Sequence, residues 1–228
     1  TQPDDIILDL RYNPGGYLST AQTVCTLLAP SSAMGQSMLH MTPNDKIGTV
    51  ESYNFDAALL PGGSSLSYQN LYILTSGNTA SASEIIINCL RPYRTGNLYQ
   101  VGSATFGKNV AQALYTDEQE PLLELWLTTY YLSNADGYKD YDAEGLQPDF
   151  NLSEIYGSAM GELGSEDDLL MQPVLIHMAT GAFPSNPETP ATRAGLHATD
   201  MIVVHSSIDE KPHNTRTDRQ PYCISDQN

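Results

Sequence analysis

Three short runs of consecutive apolar residues stand out from an otherwise mixed chain. Each leads into a glycine-bearing turn. The first, Ile6-Ile7-Leu8-Asp9-Leu10, is followed by Asn13-Pro14-Gly15-Gly16. Beyond that turn Leu18, Ala21, Val24, Cys25 and Leu28 recur at steps of three and four, which predicts a helix over 17–28 that Pro30 closes. The second run, Leu71 to Thr75, passes through Ser76-Gly77-Asn78-Thr79-Ala80-Ser81 into a predicted helix from Ala82 to Leu90 that carries Ile85, Ile86, Cys89 and Leu90. Arg91-Pro92 stops it. The third, Leu98 to Val101, leads to Gly102-Ser103-Ala104-Thr105-Phe106-Gly107-Lys108. Unbroken apolar runs of this length read as strands buried on both faces.

The remaining pattern is weaker. Residues 31–68, with Gly, Ser, Pro and Asn throughout, read as short strands and a surface excursion. Strand signals return at Val110–Tyr115 and Leu122–Leu132, Pro148-Asp149 marks a turn, and 166–178 reads as an amphipathic helix. Alternating strands and helices predict an α/β layered domain over residues 1–180. After Gly181 the composition shifts to Pro, Thr, Asn and Ser with one short strand signal at Met201–His205, so 181–228 reads as a less regular, peripheral C-terminal segment. Thr1 is not a start methionine and a buried-type strand begins almost at once, so the sequence reads as an interior piece of a longer protein.

Composition narrows the partners. A net charge of −17, from 27 acidic and 10 basic residues, repels phosphates and argues against nucleic acid and anionic membrane surfaces. No apolar run reaches the roughly 18 residues that a membrane-spanning helix requires. Cys25, Cys89 and Cys223 are far apart, and CxxC, HExxH and Cys/His clusters are absent. No metal site, no cofactor site and no disulfide framework is therefore expected, and Cys25 and Cys89 read as small core residues.

The two strand–turn–helix units carry the candidate chemistry. A helix start presents free backbone N–H groups that can hold a phosphate or an oxyanion. Neither GxxxxGK[ST] nor GxGxxG is present, which weakens the phosphate reading. Ser81 lies at a helix start, where developing negative charge is favoured. GxSxG and SxxK are absent, and His40, His177, His197, His205 and His213 fall outside every motif. Lys108 closes Thr105-Phe106-Gly107-Lys108 in a chain poor in bases, and a desolvated lysine can act as a neutral base toward serine. On spacing alone, a helix-capping serine and a surface lysine remain the competing reading.

The motifs resemble a family. Ile7 to Gly16 resembles the DLRxNPGG segment of the S41 peptidases, the C-terminal processing or tail-specific serine proteases. Asn78 to Glu84 resembles their TASASE nucleophile segment, Gly102 to Gln112 their GxxTFGKGxVQ lysine segment, and Glu144 to Asp149 their GIxPD motif. The resemblance implies a ClpP/crotonase-like layered core and a serine endopeptidase that cleaves polypeptides near their C-termini through an acyl-enzyme. It makes Ser81 the nucleophile and Lys108 the base, with Glu84 and Gln112 orienting Lys108 and the N–H groups of Gly16 and Ala82 forming the oxyanion hole.

Ser83 is the rival nucleophile. It precedes Lys108 by 25 positions against 27 for Ser81, and the family interval is nearer the shorter figure; two extra residues between Arg91 and Gln100 would account for the difference. Asn109 stands where the family has glycine, and Ser103 where it has an acid. The family also implies a substrate-capturing PDZ domain upstream and a periplasmic, cell-envelope or extracellular location. Weak activity on folded proteins and possible self-association are expected of a piece lacking that domain. The alternative function is a non-catalytic peptide- or ligand-binding module on the same fold. A thioester-directed acyl-transfer enzyme comes third, lacking residues for an adenine-nucleotide site.

Overall fold

The computed structural model describes residues 3–185 except 47, 117–122 and 155–160. The three apolar runs are strands β1 (Asp5–Asp9), β4 (Asn70–Thr75) and β5 (Leu98–Gly102). They form a parallel sheet in the order β1-β4-β5, extended by a two-residue strand, β8 (Phe150–Asn151). Helix α1 (Leu18–Leu28) follows β1, and α2 (Ala82–Leu90) follows β4. The weakly patterned region supplies β2 (Ser37–Pro43) and β3 (Glu51–Asn54). These join β6 (Val110–Thr116) and β7 (Glu124–Asn134) in a second, antiparallel sheet in the order β3-β2-β7-β6. The chain is therefore a mixed α/β fold with separate parallel and antiparallel sheets.

Both faces of the parallel sheet are covered, which explains the unbroken apolar runs. Along β4, Leu71 and Ile73 enter the main core with Cys25, Ile85, Ile87, Cys89, Met38 and Leu132, drawn from α1, α2 and the antiparallel sheet. The alternate residues Tyr72 and Leu74 enter a second cluster with Val101, Phe150, Leu170 and Val174. Helix α2 is buried along its whole length because it lies between the sheets. Cys25 and Cys89 are free and buried, as small core residues, and burial pushes the Cys25 thiol well above its ordinary value.

One boundary differs from expectation. Helix α3 runs over Met171–Thr180, not from 166. The Asp168 carboxylate is taken up by Arg11 and by the N–H groups of Gly164 and Leu170, so residues 164–170 form a folded turn and the helix starts after it. Gly181 closes α3 in the left-handed conformation. The expected strand at Met201–His205 and most of the C-terminal segment lie outside the described residues.

Candidate active site

Parallel pairing of β1 with β4 sets the two glycine-bearing turns side by side at the C-terminal edge of the sheet. They are tied together directly. The Thr79 hydroxyl donates to the Leu10 carbonyl at 2.7 Å, and the Ala80 N–H donates to the Asn13 carbonyl at 3.1 Å. The Asn13 side chain accepts the Gly15 N–H at 3.0 Å and shapes the first turn. A Cβ at Gly15 would lie 2.7 Å from Ser81 Cβ and 2.8 Å from the Ala80 carbonyl, so this contact is open only to glycine. Beside Gly16, by contrast, the space a side chain would occupy is open.

Ser81 occupies the N-cap of α2 with φ 58° and ψ −118°, a region costly for a residue with a side chain. It is fully buried, and its Oγ has no hydrogen-bond partner among the described residues. A serine at this position ordinarily caps the N–H three residues on, here that of Glu84. Ser81 and Glu84 are arranged as a capping box, with the Glu84 carboxylate on the Ser81 N–H, but the Glu84 N–H bonds the Ser81 carbonyl at 2.9 Å and Ser81 Oγ makes no hydrogen bond of its own. The strained strand-to-helix turn displaying a serine is the geometry that α/β-hydrolases build with GxSxG. Here it arises without that motif. Ala82, the first helical residue, presents an N–H that no intrahelical carbonyl can accept. Ser83 lies inside the helix, with its N–H on the Ala80 carbonyl at 3.1 Å.

Glu84 links the serine to the lysine segment. Its buried carboxylate accepts four hydrogen bonds: the Ser81 N–H at 2.7 Å, the Lys108 N–H at 2.9 Å, the Gly107 N–H at 2.7 Å and the Thr105 hydroxyl at 2.6 Å. One oxygen, Oε2, takes both the Ser81 and the Lys108 N–H, so these two backbones converge on a single atom. Glu84 therefore positions Lys108 through its main chain. Gln112, the third residue of β6, accepts from Lys108 Nζ at 3.2 Å through Oε1. The expected set Ser81, Ala82, Glu84, Lys108 and Gln112 is thus gathered at one place, with the Gly16 turn against it.

Two contributors were not singled out in the sequence. Thr105 donates to Glu84 and accepts the Leu146 N–H at 2.8 Å, which fastens the 144–149 segment to the site. Gly145 makes that approach possible, because a Cβ there would stand 2.0 Å from the Thr105 carbonyl. Arg11, in the first motif, is buried and bonded to Asp9, Asp168 and Glu154 at 2.6, 2.8 and 2.7 Å, which anchors the start of the first turn to the turn before α3. Neither role could be read locally, since Thr105 meets Glu84 and Leu146 from 21 and 41 positions away and Arg11 meets Glu154 and Asp168 from 143 and 157. His40 bonds Ser37 and Ser52, and His177 bonds Tyr72, both away from Ser81. Among the described residues no group of His, Cys, Asp and Glu could hold a metal ion, and no helix is long and apolar enough to cross a membrane.

Comparison with known proteins identifies the family. The sequence is 28% identical over 189 residues to a carboxyl-terminal-processing protease of Synechocystis sp. and covers 80% of this chain and 40% of that relative. It is 32% identical over 173 residues to the protease of the same name from Picosynechococcus sp., covering 75% and 37%. A solved structure of a candidate S41 protease from Bacteroides fragilis NCTC 9343 superposes with a TM-score of 0.68 at 31% identity, over 78% of this chain and 46% of that one. A Streptococcus agalactiae lipoprotein shares the fold, with a TM-score of 0.56 at 20% identity. The chain spans about two fifths of the length of the curated relatives it matches. The model of peptidase family S41 matches residues 2–152, a span that contains both glycine turns, the Ser81 helix start and the lysine segment, and on that match the chain belongs to peptidase family S41.

Proposed function

We propose that this chain carries the catalytic unit, within residues 1–180, of a serine endopeptidase that processes polypeptides near their C-termini. Ser81 Oγ would attack the scissile carbonyl as Lys108 Nζ, neutral at that moment, takes its proton. The N–H groups of Gly16 and Ala82 would hold the oxyanion. Lys108 then returns the proton to the leaving amine, and water, deprotonated by the same lysine, hydrolyses the acyl-enzyme. Gln112 orients the ammonium and Glu84 fixes the backbones of Ser81 and Lys108. The observation that carries this reading is Ser81 itself: a strained residue at a helix start whose hydroxyl is spent on no structural bond. A periplasmic or cell-envelope setting and an upstream PDZ domain belong to the same proposal.

A second reading, a binding module that uses the same cleft without turnover, is favoured by one observation. Ser81 is fully buried beneath the Gly15 turn. A fluorophosphonate probe separates the two. Covalent labelling mapped to Ser81 by peptide mass spectrometry, and lost in Ser81→Ala, is the expected outcome; an unlabelled protein that still binds peptide establishes the module.

A further inference from the structure

At the opposite edge of the parallel sheet from Ser81, about 20 Å away along β4, a cavity of about 370 Å³ opens between the end of α1, the entry to β4 and the entry to β5. Its walls are polar, with Ser31, Ser65, Ser67 and Thr95 among the lining residues, and Arg94 and Tyr68 also face it. Arg94 is 8% exposed. Its Nε donates to the Leu28 carbonyl at 2.8 Å, and its guanidinium carbon lies 3.8 Å from the centre of the Tyr68 ring. The Tyr68 hydroxyl donates to the same carbonyl at 2.5 Å, so the ring and the guanidinium plane are fixed relative to each other.

Arg94 is unusual in this chain for what it does not touch. Arg11 and Arg91 each meet a carboxylate, whereas Arg94 has no acidic partner among the described residues, in a protein with 27 acidic residues. Its two Nη groups make no hydrogen bond to the protein among the described residues. Most of the Arg94 side chain is withdrawn from water and burial holds it below the ordinary arginine value, with Tyr68 opposing, while its Nη atoms stay open toward the cavity. With Nε occupied, the unspent donors are the terminal Nη pair, a planar fork that matches the two oxygens of a carboxylate.

We propose that this cavity is a second binding site, specific for a carboxylate. Arg94 would grip it bidentately on a platform set by Tyr68, with the serine and threonine hydroxyls around it holding the polar atoms of the ligand. The carboxylate could belong to a free small acid or to the C-terminus of a polypeptide.

Calorimetric titration of the full chain tests this with four probes: acetyl-Ala-Ala-Ala as the free acid, the same peptide as its C-terminal amide, N-acetylalanine, and inorganic phosphate. The free-acid peptide should bind, and the amide should bind at least about tenfold more weakly. N-acetylalanine equal to the peptide assigns the site to small acids; a peptide advantage assigns it to chain ends. Arg94→Gln should weaken binding by at least about tenfold. Because that change also removes the bond to Leu28, Ser67→Trp, an exposed rim substitution that fills the cavity, serves as the second variant and should do the same with thermal stability unchanged. Acid and amide binding equally, phosphate binding in place of both carboxylates, no binding of any probe, or Ser67→Trp binding like the parent would each overturn the proposal.

Discussion

A Cβ built on Gly15 falls 2.7 Å from the Cβ of Ser81. The Ala80 carbonyl and the Ala82 nitrogen are almost as near, at 2.8 and 2.9 Å, and both are backbone atoms that cannot swing aside. Gly15 also has φ +108°, a conformation that side chains rarely adopt. Gly15→Ala should therefore push the two turns apart. We expect loss of measurable turnover of an activated ester and a destabilisation of roughly 1–3 kcal/mol, read as a lowered Tm; Gly16→Ala, with open space at its Cβ position, should be the milder change for stability.

Ser81 stores strain that its helix could do without. Ser81→Ala keeps the strained backbone and removes the nucleophile, whereas Ser81→Gly removes both. Both variants should be inactive, and Ser81→Gly should be the more stable of the two by about 1 kcal/mol in denaturant unfolding. Ser83→Ala should retain activity, because Ser83 sits in ordinary helical backbone. Activity lost in Ser83→Ala and kept in Ser81→Ala would reverse the assignment.

Lys108 must be neutral to accept a proton, so kcat/KM should climb with pH and level off once the lysine is deprotonated. Lys108→Arg should be inactive across the range, since a guanidinium does not give up its proton. Gln112→Ala should lower kcat about tenfold with little change in KM, because Gln112 contacts Nζ and not the substrate. A pH-independent profile would exclude Lys108 as the base.

Asp168 gives a stability signature separate from catalysis. Burial alone would raise its pKa, but hydrogen bonds from Arg11 and from the N–H groups of Gly164 and Leu170 outweigh burial and hold it below the usual carboxylate value. A folded-state pKa below the unfolded one stabilises the protein above the unfolded value, about 3.9, and that stability is lost as pH falls through the folded value. Asp168→Asn should cost about 3 kcal/mol at neutral pH and flatten the acid limb of the stability curve, measured by urea unfolding between neutral pH and acid.

What the sequence disclosed followed from how local each signal was. The strands β1, β4 and β5 and the helices α1 and α2 were legible because sheet and helices bury both faces of the parallel sheet, and that burial writes unbroken apolar runs and helical spacing into the chain. Ser81 and Glu84 stood out as candidates through the motif at the start of α2, and Lys108 through the segment that follows β5. The division into two sheets was not, since pairing of β2 with β7 joins segments whose patterns give no register. The start of α3 was misplaced because Asp168 answers to Arg11, 157 positions away. The Arg94 cavity is built from three segments with no motif in any of them.

Several of the bonds that assemble the Ser81 site join distant parts of the chain. Thr79 reaches Leu10 across 69 positions, Leu146 reaches Thr105 across 41, and Lys108 reaches Glu84 across 24. Contacts of such high order form late, after the loop-closure entropy has been met. A growing or partly unfolded chain thus lacks the poised serine altogether. On the proposed function, competence to cut would arrive only with the completed fold.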